Sequence, residues 1–267
     1  MSERTKRQLF LGPESDAALG AATVAVIGVS GGGSHIAQQL AHVGFGTVHL
    51  IDPSRAEERH RHRLVGISMA AIRRGWSKVE VARRQMRRAH PEGTVIAHAR
   101  RWQGVHTVLR SCDMIFGCID GYSERDELER YARRFHIPYI DIGMDVHPGD
   151  SGHVVCGQVI TSMPGDLCMR CMGFLSEAAF KTEAGRYGAA GDHPQVVWPN
   201  GVLASTAIGI GTGLLLPWHR DQRPCLYLIY DGNSGCIGPS PRLAHLSPQC
   251  SHYGQGQTFG DPLWPKS

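Results

Sequence analysis

Long apolar runs are missing from this chain of 267 residues. So is the apolar core of a signal peptide, because the opening MSERTKRQLF is polar. The first absence excludes a helical membrane span, which needs about 20 apolar residues. The second excludes a secretory leader. The expectation is therefore a cytoplasmic protein with no membrane contact. Lysine is scarce, with four lysines against 24 arginines, a bias that a GC-rich genome produces as readily as a function does. A formal charge of +4 is modest, and no nucleic-acid partner is expected. The densest basic cluster, Arg83, Arg84, Arg87 and Arg88, falls on a predicted helix. It reads as a solvated face, with contact to an acidic partner as the alternative. There is no internal repeat and, among 15 histidines, no HExxH motif. Ser123 in DGYSERD lacks the strand–turn–helix setting of a nucleophile elbow.

What is present is alternation. TVAVIG and GTVHLID are short, β-branched runs suited to strands buried on both faces. Between them, Ser34 to Val43 carries Ile36, Ala37, Leu40 and Ala41 on one helical face. SKVEVARRQMRRAHPE puts Val79, Ala82, Met86 and Ala89 on one stripe. TVIAHAR, CDMIFGCI, PYIDIGM and GHVVCGQVIT read as strands, and SERDELERYARRFH as a charged helix stopped before Pro138. This order predicts an α/β fold: a doubly wound, mostly parallel Rossmann-like sheet with a C-terminal strand extension. Residues 183–199 and the tail after Pro239 have loop-like composition. Eight cysteines in a cytosolic chain point to metal or thiol chemistry more than to disulfides.

The stretch VAVIGVSGGGSHIAQQLAHVGFGTVHLIDPS is written as strand, glycine turn, helix, strand and acid. It departs from GxGxxG at the middle position, where Ser30 stands between Gly28 and Gly33, with Gly31 and Gly32 following Ser30. Backbone N–H groups and the helix dipole converge there on a point suited to phosphate. Asp52, 24 residues after Gly28, ends the next strand, where a carboxylate can accept ribose hydroxyls. Arg63, Lys78 and Asp120 follow strand ends or open a helix, so all three are candidates for the same crevice. Two cations and a second carboxylate suit a phosphoanhydride better than a nicotinamide.

These residues carry a resemblance to the ThiF/MoeB/HesA family, the ubiquitin-activating-enzyme-like adenylyltransferases. RTKRQLFL is similar to RYxRQ-L, VIGVSGGGS to VIGxGGLGS, and HRHRL to NLxRQ. GWSKVEVARRQMRRAHPE resembles GxxKVExAxxxLxxxNP, and CIDGYSERDEL resembles xxDNxxxRxxL. The likeness covers roughly residues 4–254. It implies one adenylation domain over 1–267, with a nucleotide half at 20–150 and a carrier and zinc half at 151–267. The implied reaction adenylates the C-terminal carboxylate of a ubiquitin-like or sulfur-carrier protein ending in Gly-Gly, using ATP and Mg²⁺. Lys78 and Arg63 would stabilise the phosphates, Asp120 would hold Mg²⁺, Gly28 and Gly31 to Gly33 would cradle phosphate, and Asp52 would bind ribose. Arg7 would reach the partner's site in a homodimer. Departures are Ser30, Ser54, His60, Leu64 and Gly121, each standing where the family has another residue.

Cys168 and Cys171 form a CxxC, half of a tetrahedral zinc site. The resemblance implies a second pair near the C-terminus, where SPQCSHYG offers Cys250, with His252 as fourth ligand beside Tyr253. Cys112, Cys118, Cys156 and Cys225 read as small core residues. From Met172 to Pro224 there is no cysteine, so the activated carrier is expected to pass to a thiol-bearing acceptor protein. Alternative readings are a non-catalytic or peptide-modifying ThiF-like protein and, more remotely, a NAD(P) oxidoreductase.

Overall fold

The apolar, β-branched run that opens the nucleotide motif forms a central strand because both its faces find partners. In the computed structural model, which describes residues 3–185, 194–216, 218, 224–247 and 249–253, Val24, Ala25 and Val26 are fully buried. In chain order the elements are α1 (Ser15–Ala21), β1 (Thr23–Ile27), α2 (Gly31–Val43), β2 (Thr47–Ile51), α3 (Met69–Arg73), α4 (Lys78–Ala89), β3 (Thr94–His98) and α5 (His106–Leu109). There follow β4 (Met114–Gly117), α6 (Tyr122–Arg134), β5 (Tyr139–Gly149), β6 (Gly152–Ser162), α7 (Glu177–Gly185), α8 (Val197–Leu215), β7 (Tyr227–Asp231) and β8 (Cys236–Pro239). Short 3-10 helices lie at Glu3–Leu11, Glu58–His60, Trp102–Val105 and Pro241–His245.

One eight-stranded sheet runs β3-β2-β1-β4-β5-β6-β7-β8. The first five are parallel, and β6 to β8 add an antiparallel meander. This is the doubly wound sheet with a strand extension that the alternation predicts. Alternate residues feed two cores. Val24, Val26, Leu50, Phe116 and Ile140 pack with the apolar faces of α2 and α8. Ala25, Ile27, Ile51, Ile115 and Tyr139 pack with Trp102 and with Leu128, Tyr131 and Ala132 of α6. Strand order reverses between β1 and β2 on one side and β4 on the other, so the crevice for a ligand opens above β1.

The chief difference from the sequence reading is α8, 19 residues long, which begins inside the stretch read as loop. Pro199 lies in its first turn, where a missing N–H breaks no helical bond. Gly201, Gly209, Gly211 and Gly213 lower its helix propensity, and apolar residues all round erase the 3.6-residue period. Gly211 has a packing reason: a Cβ there would lie 2.9 Å from Met114 Sδ and from the Phe116 ring. Among the described residues no helix is long and apolar enough to cross a membrane.

A backbone approach at the start of α2 gives a stability test. A Cβ on Gly33 would sit 1.8 Å from the Gly28 carbonyl oxygen, whereas one on exposed Gly20 meets nothing within 4 Å. Gly33→Ala is expected to lose about 1–3 kcal/mol or more in urea unfolding. Gly20→Ala is expected to be neutral or stabilising by up to ~1 kcal/mol. Equal midpoints for the two variants would contradict this packing.

Candidate functional site

A cavity of about 340 Å³ opens at the C-terminal ends of the parallel strands, lined by Gly28, Ser30, Asp52, His60, Arg63, Lys78, Trp102 and Asp120 among others. Each functional side chain is positioned by local backbone chemistry. Asp52 follows β2, and its two oxygens accept the Val29 N–H at 2.8 Å and the Ser54 N–H at 2.7 Å. The carboxylate thereby ties the turn after β1 to the turn after β2. Lys78 is the first residue of α4, behind the N-cap Ser77, whose hydroxyl accepts the Glu80 N–H. The Lys78 N–H donates to Ser54 O at 3.0 Å, and Arg55 bridges Ser77. Arg63 sits just after the 3-10 turn that carries His60. That segment is held by Ser34, whose hydroxyl accepts the Val65 N–H and donates to Gly31 O. Asp120 follows β4, is exposed, and accepts a bond from Gln195 Nε2 at 3.3 Å.

The cavity is electropositive. Arg59, Arg63, Lys78, Arg100 and Arg101 line it against Asp52, Asp120 and Glu124. Lys78 is 7% exposed and has no hydrogen-bond or ion-pair partner among the described residues. Arg63 Nε is buried without a partner. Burial holds the Arg63 guanidinium below its usual range, and nearby Asp120 opposes that shift. His60 is lowered to about 4, by burial first and then by Lys78 and Arg63. A buried ammonium without a partner is costly, so Lys78 stores an attraction for an anion brought from outside. The floor is apolar, with Ile27, Ile51, Ile119 and Trp102. A phosphate chain and a planar base fit these two halves.

Of the residues singled out from sequence, Gly28, Asp52, Arg63, Lys78 and Asp120 come together here. Gly31, Gly32 and Gly33 do not line the cavity; they open α2 and are fixed by packing. A Cβ would meet Asn200 at Gly31, Ile142 at Gly32 and the Gly28 oxygen at Gly33. Arg7 is exposed on the 3-10 helix Glu3–Leu11 and does not line the cavity of its own chain. Residues that sequence reasoning missed are Trp102, Gln195 and Glu183. At Gly121, Glu183 of α7 fills the space beside a missing side chain. A Cβ there would lie 2.7 Å from Glu183 Oε1, and Oε2 accepts both Ser123 N–H and Ser123 O–H, at 2.9 and 2.6 Å. Glu183 thus caps α6, whose own N-cap Gly121 has no side chain to do so.

A second constellation lies apart from the cavity. Cys168, Cys171, Cys250 and His252 place their ligand atoms within 4.8 Å of one another. Cys171 Sγ lies 3.6 Å from Cys250 Sγ and 3.3 Å from His252 Nδ1, and Cys168 Sγ lies 3.5 Å from the same nitrogen. Zn–S and Zn–N bonds of about 2.3 and 2.0 Å at tetrahedral angles require edges of roughly 3.5–3.8 Å, so the donor set fits zinc. Burial raises the Cys171 thiol, but bonds with His252 and Ser251 outweigh it and bring it to about 6. The other thiols depart in part from the core reading. Cys112 is buried, and Cys118, Cys156 and Cys225 are only partly so. Cys118 also lines the cavity, because it sits where β4 gives way to the Asp120 turn.

The model of the ThiF family matches residues 4–241. The chain belongs to the ThiF family. Curated relatives within reach include the adenylyltransferase and sulfurtransferase MOCS3 of Drosophila sechellia, 26% identical, with 92% of this chain and 52% of the relative covered. Another is ubiquitin-like modifier-activating enzyme 5 of Bombyx mori, 25% identical over 79% of this chain and 52% of the relative. The chain therefore spans about half the length of these relatives. Among solved structures, the microcin C7 biosynthetic enzyme MccB in complex with N-formylated MccA superposes with a TM-score of 0.77 at 19% identity, over 94% of this chain and 75% of that one. E. coli MccB with ATP gives 0.72 at 20% identity, over 90% of this chain and 73% of that one. These likenesses show a shared ThiF-type fold.

Two measurements follow from the geometry. Lys78→Met removes a buried ammonium that has no partner among the described residues. The variant is expected to unfold at the same urea concentration as wild type or higher, by up to about 1–2 kcal/mol. A loss of several kcal/mol would show that Lys78 is structural. For the cysteine cluster, elemental analysis of protein purified without chelator is expected to give about one zinc per chain, falling in Cys250→Ser. Metal-free protein of full stability would remove the zinc reading.

Proposed function

We propose that the protein adenylates the C-terminal carboxylate of a small ubiquitin-like or sulfur-carrier protein ending in Gly-Gly, consuming ATP and releasing pyrophosphate. The observation that carries this reading is the buried Lys78, unpartnered among the described residues, beside the half-buried Arg63, whose Nε is unsatisfied, in one cavity with Gly28 and Asp120. Relatives named as adenylyltransferases support it at the level of the family. A carboxylate is already a nucleophile near neutral pH, so the reaction needs no general base. One carboxylate oxygen bonds to the α-phosphorus, the α–β phosphoanhydride breaks, and the electron pair leaves with pyrophosphate. Lys78 and Arg63 neutralise charge on the phosphates through this exchange. The turn at Gly28 and the start of α2 orient the phosphate chain, and the spare lone pairs of Asp52 are available to ribose hydroxyls. Asp120 would hold Mg²⁺, which supplies charge neutralisation on the leaving group. The five cavity cations do not suit a nicotinamide, which disfavours the oxidoreductase alternative.

The half at 20–150 would bind nucleotide and that at 151–267 the carrier, with zinc at Cys168, Cys171, Cys250 and His252 as a structural clip. A homodimer in which Arg7 acts across the interface is consistent with the position of Arg7 outside its own cavity. On the same 3-10 helix, Phe10 is 69% exposed and packs edge-on against Trp218 at 5.8 Å. Such an aromatic surface favours a protein partner. A second reading, modification of a peptide rather than a carrier protein, is favoured by the structural likeness to MccB, which has been solved with MccA. The carrier is proposed to pass from its acyl-adenylate to a thiol on another protein. Burial and Asp145 raise the Cys156 thiol above its usual range, which disfavours it as an internal acceptor.

Carrier-dependent ATP–pyrophosphate exchange tests the assignment. Lys78→Ala and Asp120→Ala should each lower it by roughly a hundredfold or more. Mixed dimers of Arg7→Ala with Lys78→Ala chains should recover part of the rate. Mass spectrometry of the mixture should show acyl-adenylate and no thioester to this chain. Wild-type exchange in both single variants would place the chemistry elsewhere.

A further inference from the structure

His60 stands where the family motif carries an asparagine, and its surroundings fix its chemistry closely. The backbone N–H of Glu57 points at His60 Nδ1 over 3.0 Å. A backbone N–H can only donate, so Nδ1 must be the acceptor and cannot carry a proton. In a neutral ring the proton then belongs to Nε2. The bond belongs to a capping box in which the Glu57 side chain returns the interaction to the His60 backbone, so ring and backbone are both tied to Glu57. His60 is 4% exposed, and the opening it faces is the cavity that it lines with Lys78 and Arg63. The groups that face it differ in sign: Lys78, Arg63 and Arg59 oppose a positive ring, and Glu57 favours one. Among the described residues no acceptor lies within hydrogen-bond distance of Nε2. Nor is Nε2 among the polar atoms sealed from solvent without a partner.

We propose that His60 is a neutral, tautomer-locked hydrogen-bond donor to the phosphate chain of the bound nucleotide, presenting Nε2–H into the cavity. It is a positional substitute for an amide donor. Compared with an asparagine N–H₂ the reach is longer, and the imidazole plane is fixed by the bond at Nδ1. A neutral donor has a distinct use among these cations. It adds a directed bond to a phosphate oxygen without adding a further positive charge to a site where five cations meet three carboxylates. The inference rests on the nucleotide reading of the cavity and deepens it.

The test uses the full-length protein, uniformly labelled with ¹⁵N, and the probes Mg-ATP and its non-hydrolysable α,β-methylene analogue. Long-range ¹H–¹⁵N correlation spectra report the tautomer of each histidine, and His60→Asn identifies the resonance by its disappearance. Expected are the Nε2–H neutral pattern near pH 7, its persistence to about pH 5, and a shift of Nε2 when the analogue binds. His60→Leu should bind the analogue about 10- to 100-fold more weakly. His60→Asn should lose less than that. If His60→Leu fails to fold, the wild-type spectra still decide. An Nδ1–H tautomer, an imidazolium near neutral pH, or an unmoved Nε2 in protein that does bind the analogue overturns the inference alone. Absence of any nucleotide binding by wild type overturns it together with the reading beneath it.

Discussion

The candidate site depends on one carboxylate. Asp52 receives the Val29 N–H on one oxygen and the Ser54 N–H on the other. It lies 5% exposed at the end of β2. Charge-assisted bonds of this kind are about twice as strong as neutral ones. Through Val29 the carboxylate fixes the turn that opens α2. Through Ser54, whose carbonyl takes the Lys78 N–H, it fixes the start of α4. The segment between them, with His60 and Arg63, is pinned at its far end by Ser34 of α2. Thus every cation proposed to meet the phosphates descends from a backbone held, directly or at one remove, by this side chain or by the helix it orients.

The arrangement sets local stability against function. A buried lysine without a partner and a buried, unpaired guanidinium nitrogen raise the free energy of the empty site. A polyanionic ligand relieves that cost, so its binding energy and the folded state reinforce one another. Below the site the opposite policy holds. Arg125 lies 3.3 Å from Asp141, which also accepts the Tyr139 hydroxyl at 2.7 Å. Burial still raises Asp141 to about 6. Arg125 and Asp141, outside the cavity lining, pair with one another, whereas Lys78 within it has no partner among the described residues.

Much of this was readable from residue order because parallel strands and their turns leave local signatures. TVAVIG and GTVHLID needed only β-branched runs and flanking glycines. Asp52, Lys78 and Asp120 could be placed because strand ends converge. The three consecutive glycines were harder. They read as a phosphate cradle, but Gly31 and Gly32 are small because Asn200 and Ile142 approach them, contacts made across long stretches of sequence. The helix α8 was hidden by its composition, since its exposed face carries Trp198, Val202, Ser205, Gly209 and Gly213 and so has no charged residue to mark its period. Glu183 and Gln195 were illegible for a simpler reason. Each reaches Ser123 or Asp120 from 60 and 75 residues away, and nothing in their local sequence announces it.

The cysteine–histidine cluster has a further consequence for the chain before it folds. Cys171 and Cys250 are 79 positions apart, and α7, α8, β7 and β8 all lie between them. An ion gripping both ends would turn that stretch into a closed ring. By analogy with a covalent cross-link, a ring of that size removes about 4–5 kcal/mol of freedom from the denatured ensemble. A reversible knot of this kind, made of thiolates and an imidazole, would stiffen the antiparallel half without a covalent cross-link.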